Sequence, residues 1–127
     1  YEAIQHFTGI DISEMNEDQL RETARSLHVP IDKTMGKGKL IDEIFGEKCE
    51  GNLIQPTFIT DYPVEMSPLA KKHASKLGLV ERFEAICNKK EICNAFSELN
   101  DPIDQRQRFE AQLELGKRGD EEACSKI

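Results

Sequence analysis

Apolar positions change period near the middle of this chain, and the change separates a helical part from a strand-rich part. Leu20, Ala24 and Leu27 follow one another at i, i+4 and i+7, the spacing that lines one helix face. Asn16 stands before them as an N-cap, Gln19 three residues later approximates a capping box, and Pro30 closes the segment. A polar loop over 33–38, with Gly36 and Gly38, leads to a second stripe at Leu40, Ile41, Ile44 and Phe45 that ends between Gly46 and Gly51. Residues 1–11 fit either strand or helix.

From residue 52 the period shortens. Residues 52–60 read as a strand, with Pro56 arguing against an interior sheet position near its start. Residues 61–75 read as an irregular segment fixed by Pro63 and Pro68. Residues 80–99 read as a β-hairpin interrupted by Asn88-Lys89-Lys90. Asp101-Pro102 then starts a helix, with Asp at the N-cap, Pro at N1 and Asp104 near the positive end of the dipole. Phe109 and Leu113 continue one face of that helix, which stops near Gly116 to Gly119. The expected class is α+β with antiparallel strands. Residues 1–51 form an N-terminal segment with a small helical insertion, and 52–127 a strand-rich part with a C-terminal helix.

Composition narrows the function classes. The 127 residues carry 38% hydrophobic and 32% charged residues, the balance of a water-soluble globular chain. No run approaches the ~18 apolar residues of a membrane-spanning helix, and no signal-like start is visible. A net charge of −7, of which −5 falls in residues 1–50, argues against a free-standing nucleic-acid binder, whose footprint is a basic patch. Cys49, Cys87, Cys93 and Cys124 form no Cys-x-x-Cys pair and have no histidine completing a zinc pattern. They are expected as reduced structural thiols, with Cys87 and Cys93 buried in strands, as suits a cytoplasmic protein.

The hairpin carries the candidate chemistry. A turn centred on Cys87-Asn88 would set Glu84 opposite Glu91, a like-charge pair that is unfavourable by itself and favourable around a divalent cation. Asn94, Phe96 and Glu98 are spaced by two and share a strand face. A carboxylate there selects a cationic group, the ring flanks an aliphatic stem, and the amide orients the ligand. Glu91 has the opposite parity, so a bulge or strong twist is needed to bring it to the same ligand. Two positions apart on one strand, Arg82 and Glu84 are expected to pair poorly, and Arg82 is expected to meet solvent or a cross-strand partner instead. His73 has no serine or carboxylate placed to make it an acid or base, and His6 and His28 have no partners.

From Glu81 to Pro102, the run Glu-Arg-Phe-Glu-x6-Glu-Ile-Cys-Asn-Ala-Phe-Ser-Glu-Leu-Asn-Asp-Pro resembles the active-site hairpin of class II lysyl-tRNA synthetases. Pro56-Thr57-Phe58-Ile59-Thr60-Asp61-Tyr62-Pro63, Met66-Ser67-Pro68-Leu69-Ala70-Lys71 and Gln105-Arg106-Gln107-Arg108-Phe109-Glu110 resemble the same family in the same order, and the likeness reaches to about Ala123. The resemblance implies an antiparallel sheet fragment of a class II aminoacyl-tRNA synthetase catalytic domain. It implies that Glu84 and Glu91 hold Mg²⁺ on ATP. Asn94, Phe96 and Glu98 would then surround lysine, with Glu98 receiving the ε-ammonium. The parent would be a homodimer acting on ATP, lysine and tRNA(Lys).

Ala74 and Leu77 depart from the family's loop, where an arginine and a polar residue or proline are usual; Cys124 to Ile127 do not continue its pattern. The resemblance also implies that the arginines of the family's second and third motifs, the dimer helix and the anticodon-binding barrel lie outside these residues. Tyr1, in place of an initiating Met, is what an internal piece would show. No catalytic residue is then expected within this stretch, and alone it should be inactive. Two competing readings remain. The helices of 16–50, with Gly-Lys-Gly-Lys-Leu at 36–40, weakly resemble helix–extended–helix modules that dock nucleic acid or protein. A non-catalytic paralogue that senses amino acids would keep the same hairpin.

Overall fold

The computed structural model describes residues 1–117 and 119. Its first element, open between strand and helix in the sequence, is helix α1 (Glu2–Thr8), ended by Gly9 at φ 76°, a left-handed conformation open to glycine without steric penalty. Helix α2 (Glu17–Ser26) carries the full capping box: the Asn16 side chain accepts from Gln19 N, and Gln19 Oε1 accepts from Asn16 N, both at 2.9 Å. Helix α3 (Lys37–Lys48) follows. Ile4, Leu20, Leu40 and Ile44 bury the facing stripes of these three helices, each at 3% exposure or less. None of the helices among the described residues is long and apolar enough to cross a membrane.

The strands assemble in the order β1 (Thr57–Pro63), β2 (Leu79–Cys87), β3 (Lys90–Phe96), all antiparallel. With helix α4 (Pro102–Lys117), they make the fold α+β, as expected. β1 starts after Pro56 and not at 52, since proline has no N–H to give to a ladder and residues 50–52 form a 3-10 turn. The hairpin turn is Asn88–Lys89, with φ of 51° and 67°, the paired positive angles of a two-residue turn that matches strand twist. Both turn N–H groups are tied down, Asn88 N to Ile54 O at 2.8 Å and Lys89 N to Leu53 O at 2.9 Å.

The helical and sheet parts meet at the turn of Val64–Met66. Met66 packs against both the helix core and the smaller cluster of Tyr62, Ala70 and Val80. Gly38, in the first turn of α3, lies so close that a Cβ would overlap the Glu65 carbonyl. Residues 69–73 bond to the end of β3 and the start of β2, through Leu99 N to Leu69 O (3.0 Å), Lys71 N to Ser97 O (2.7 Å) and Glu81 N to Lys71 O (2.8 Å).

Two burial expectations are corrected. α4 turns Arg108 and Gln112 inward, while Leu113 is 47% exposed. The inward face is polar because Arg108 satisfies backbone carbonyls of the 68–70 segment. Cys93 is exposed and Cys87 half-buried, and Cys49 is the buried thiol. Every residue of β3 is exposed, since one of its edges has no neighbouring strand among the described residues. Cys124 lies outside the described residues.

Candidate functional site

The turn at Asn88–Lys89 sets the register of the site. Cys87 pairs with Lys90 and Ile86 with Glu91; then the register slips by one residue, so that Ala85 pairs with Cys93, Glu84 with Asn94 and Arg82 with Phe96. Ile92 is the extra residue, a β-bulge. Glu84 therefore faces Asn94 and not Glu91: a turn one residue later than a centre at Cys87-Asn88 would set it opposite Cys93, and the bulge at Ile92 adds the last step. The bulge cancels the odd spacing of Glu91. Ile86, Glu84 and Arg82 share a face of β2 by period two, so their partners Glu91, Asn94 and Phe96 share that face as well. Glu98 lies just beyond β3, exposed, in an isolated bridge with Ala70. No bond among the described residues joins Glu98 to Asn94 or Phe96.

Arg82 organises this face. Its Nη2 donates to Glu84 Oε1 at 2.6 Å, its Nε donates to Asn94 Oδ1 at 2.9 Å, and its Nη1 donates to Ser67 Oγ, with a longer contact to Met66 O at 3.4 Å. The guanidinium carbon stands 4.3 Å from the centre of the Tyr62 ring, within cation–π range. The expected cross-strand partner of Arg82 is thus Asn94, while the expectation that Arg82 and Glu84 pair poorly is overturned. Backbone positions two apart are distant, but the arginine side chain is long enough to close the gap. Both side chains are shielded, at 16% and 14% exposure, where a charge-assisted hydrogen bond is screened less than at a surface.

Negative charge collects beside this arginine. Burial, then the carboxylates of Glu84, Asp42 and Glu91, hold the Glu50 carboxyl above its ordinary value. Glu50 comes from the turn after α3, so the helical part reaches the hairpin carboxylates. The Tyr62 hydroxyl is buried beside Glu84 without a well-formed hydrogen bond; burial, then that carboxylate, push the phenol above its ordinary range. Sequence reasoning gives Tyr62, Ser67 and Glu50 no part in the site, and it does not give Arg82 its central one. Only Arg82 left a signal there, as a cation sharing a strand face with Glu84.

Among the described residues, no group of three or more His, Cys, Asp or Glu could hold a metal ion alone. Magnesium commonly takes one or two carboxylates and completes its shell with water and substrate phosphates. Glu84 and Glu91 on one face fit that demand, with Glu84 Oε1 already engaged by Arg82.

His73 has a carboxylate neighbour after all. Its Nε2 is 3.5 Å from Asp61 Oδ1, while its Nδ1 accepts from Ser75 N and Lys76 N, each at 3.1 Å. Lys76 Nζ also holds Asp61 Oδ2 at 2.6 Å. With Nδ1 held by its own loop and Nε2 beside Asp61 of β1, His73 works as a staple between that loop and the sheet.

The family described as tRNA synthetases class II (D, K and N) matches residues 1–126. A lysine--tRNA ligase of Porphyromonas gingivalis is 66% identical over 122 residues, covering 96% of this chain and 21% of the relative. One from Christiangramia forsetii is 62% identical over the same shares. One from Azobacteroides pseudotrichonymphae is 63% identical over 96% of this chain and 24% of its own length. The chain thus spans between about a fifth and a quarter of the relatives it matches.

Proposed function

The chain belongs to the family of class II tRNA synthetases (D, K and N), and from that premise we propose that it is part of the catalytic domain of a lysine--tRNA ligase. The parent activates lysine with ATP and passes it to tRNA(Lys), as a cytoplasmic homodimer. Residues 1–51 are the helical insertion with its N-terminal segment, and 52–127 belong to the catalytic sheet. The relatives named lysine--tRNA ligase support the amino acid assigned.

The observation that carries the reading is the face shared by Glu84, Glu91, Asn94 and Phe96 across the Ile92 bulge. Glu84 and Glu91 hold Mg²⁺, which neutralises phosphate charge when bound. Asn94 and Phe96 orient lysine and flank its stem, and Glu98 takes the ammonium group. Adenylate formation depends on positioning and charge neutralisation, and the family's phosphate-binding arginines are not among these residues. The isolated chain is therefore inactive.

ATP–pyrophosphate exchange in the full-length parent tests this function. Glu98→Gln should weaken lysine by about 10- to 100-fold, the worth of a charge-assisted hydrogen bond, with ATP nearly unaffected. Glu84→Gln and Glu91→Gln should each raise the Mg²⁺ requirement. Wild-type lysine dependence in Glu98→Gln would remove it from the pocket, and unchanged Mg²⁺ dependence would leave the two glutamates a solvated face. Lysine-dependent exchange by the isolated chain would overturn its proposed inactivity.

A further inference from the structure

Arg82 spends every nitrogen of its guanidinium on protein partners: Nε on Asn94, Nη2 on Glu84 and Nη1 on Ser67. Its guanidinium carbon lies over the Tyr62 ring, 4.3 Å from the centre. A guanidinium so occupied has little left with which to grip a substrate. Arginine has donors and no acceptor, so the Asn94 atom facing Nε must be the amide oxygen. That contact fixes which way the amide points. With Oδ1 held, Asn94 can turn only its NH₂ group toward a ligand, and so addresses an acceptor atom. Meanwhile Nη2 holds one oxygen of Glu84 on the same face.

We infer that Arg82 is the positioning residue of this site: it locks the orientation of the Asn94 amide and couples it to Glu84, acting on the ligand only through them. The inference rests on the lysine-binding reading above. It predicts a coupling that plain structural support does not. Replacing Arg82 should matter to lysine binding only while Asn94 is present to be oriented. A shorter cation cannot span Asn94, Glu84 and Ser67 together, so Arg82→Lys preserves charge and loses the fork.

The test is a double-mutant cycle on lysine binding in the full-length parent, by calorimetry without ATP or Mg²⁺. Arg82→Lys should weaken lysine by about 10-fold in the otherwise unaltered protein, and by less than about 2-fold when Asn94 is already alanine, the non-additivity of residues acting as one unit. Ser67→Ala removes one anchor of the guanidinium and leaves its charge. It should show the same pattern at smaller size, and it serves where Arg82→Lys lowers the folded yield. Equal losses in both backgrounds would make Arg82 a scaffold residue and overturn the inference while the lysine reading stands. No lysine binding by the unaltered parent would overturn that reading and this inference together.

Discussion

Arg108 grips Asp104 one helical turn earlier with two parallel hydrogen bonds, Nε to Oδ1 at 3.0 Å and Nη2 to Oδ2 at 2.8 Å. Its third nitrogen reaches out of α4 to the carbonyls of Ala70 and Pro68. At 7% exposure, this arginine is the pin between α4 and the segment that also bridges to Glu98. Removing one partner of a buried pair leaves the other charge uncompensated, so Arg108→Ala should cost about 3–5 kcal/mol. Urea unfolding of this chain measures it, and a loss below about 1 kcal/mol would show that the fork holds nothing.

Gly38 is constrained by space and not by backbone angle. A methyl group there meets the backbone carbonyl of Glu65, which cannot swing aside as a side chain can. Gly38→Ala gains helix propensity, yet overpacking against backbone should outweigh it, for a net loss of about 1–3 kcal/mol. A stabilised variant in thermal unfolding would mean that α3 slides freely past the Val64–Met66 turn.

Glu50 sets a pH dependence whose sign is opposite to that of most carboxylates. Burial and the neighbouring Glu84, Asp42 and Glu91 raise its folded-state pKa above the ordinary 4.5. The folded state then holds the proton more tightly than the unfolded state. Stability from this group is present below that value and is lost as pH rises through the raised one. Glu50→Gln should therefore raise the melting temperature at pH 7 and leave it nearly unchanged at pH 4. An equal shift at both values would trace the effect to packing.

The cysteines should separate by reactivity. Burial pushes the Cys49 thiol up to about 11, so at pH 8 roughly a thousandth of it is thiolate, the reactive form. Cys93 is exposed. Under native conditions iodoacetamide should modify Cys93 early and leave Cys49 untouched until the chain unfolds, as read by peptide mass spectrometry. Early labelling of Cys49 would place it outside the helix core.

What the sequence made legible was local. The capping box of Asn16 and Gln19, the helix start at Asp101-Pro102 and the existence of the hairpin each depend on residues a few positions apart. What it hid depends on distant partners. The turn settles at Asn88–Lys89 with its N–H groups bonded to carbonyls of Leu53 and Ile54, far back in the chain, and no pattern within the hairpin announces that. The candidate residues of β3 could be placed on a face by counting in twos, but Glu91 could not, since the bulge at Ile92 is not written in residue types. Arg82 was misjudged because strand geometry was counted in backbone steps, while its reach belongs to the side chain.

The bulge gives this hairpin its own rule for changes in length. Two residues separate Glu91 from Asn94 along the chain, yet they lie in phase because one of them, Ile92, has no partner in the ladder. Substitution at 92 leaves that phase intact, and so does loss of the residue, since an unbulged strand counts the shortened gap as two. A single added residue that entered the ladder as a regular pair would instead reverse it, turning Glu91 away from the face that holds Glu84 while leaving hydrophobicity almost unaltered. Among related chains, deletions at this point should therefore be tolerated and single insertions excluded.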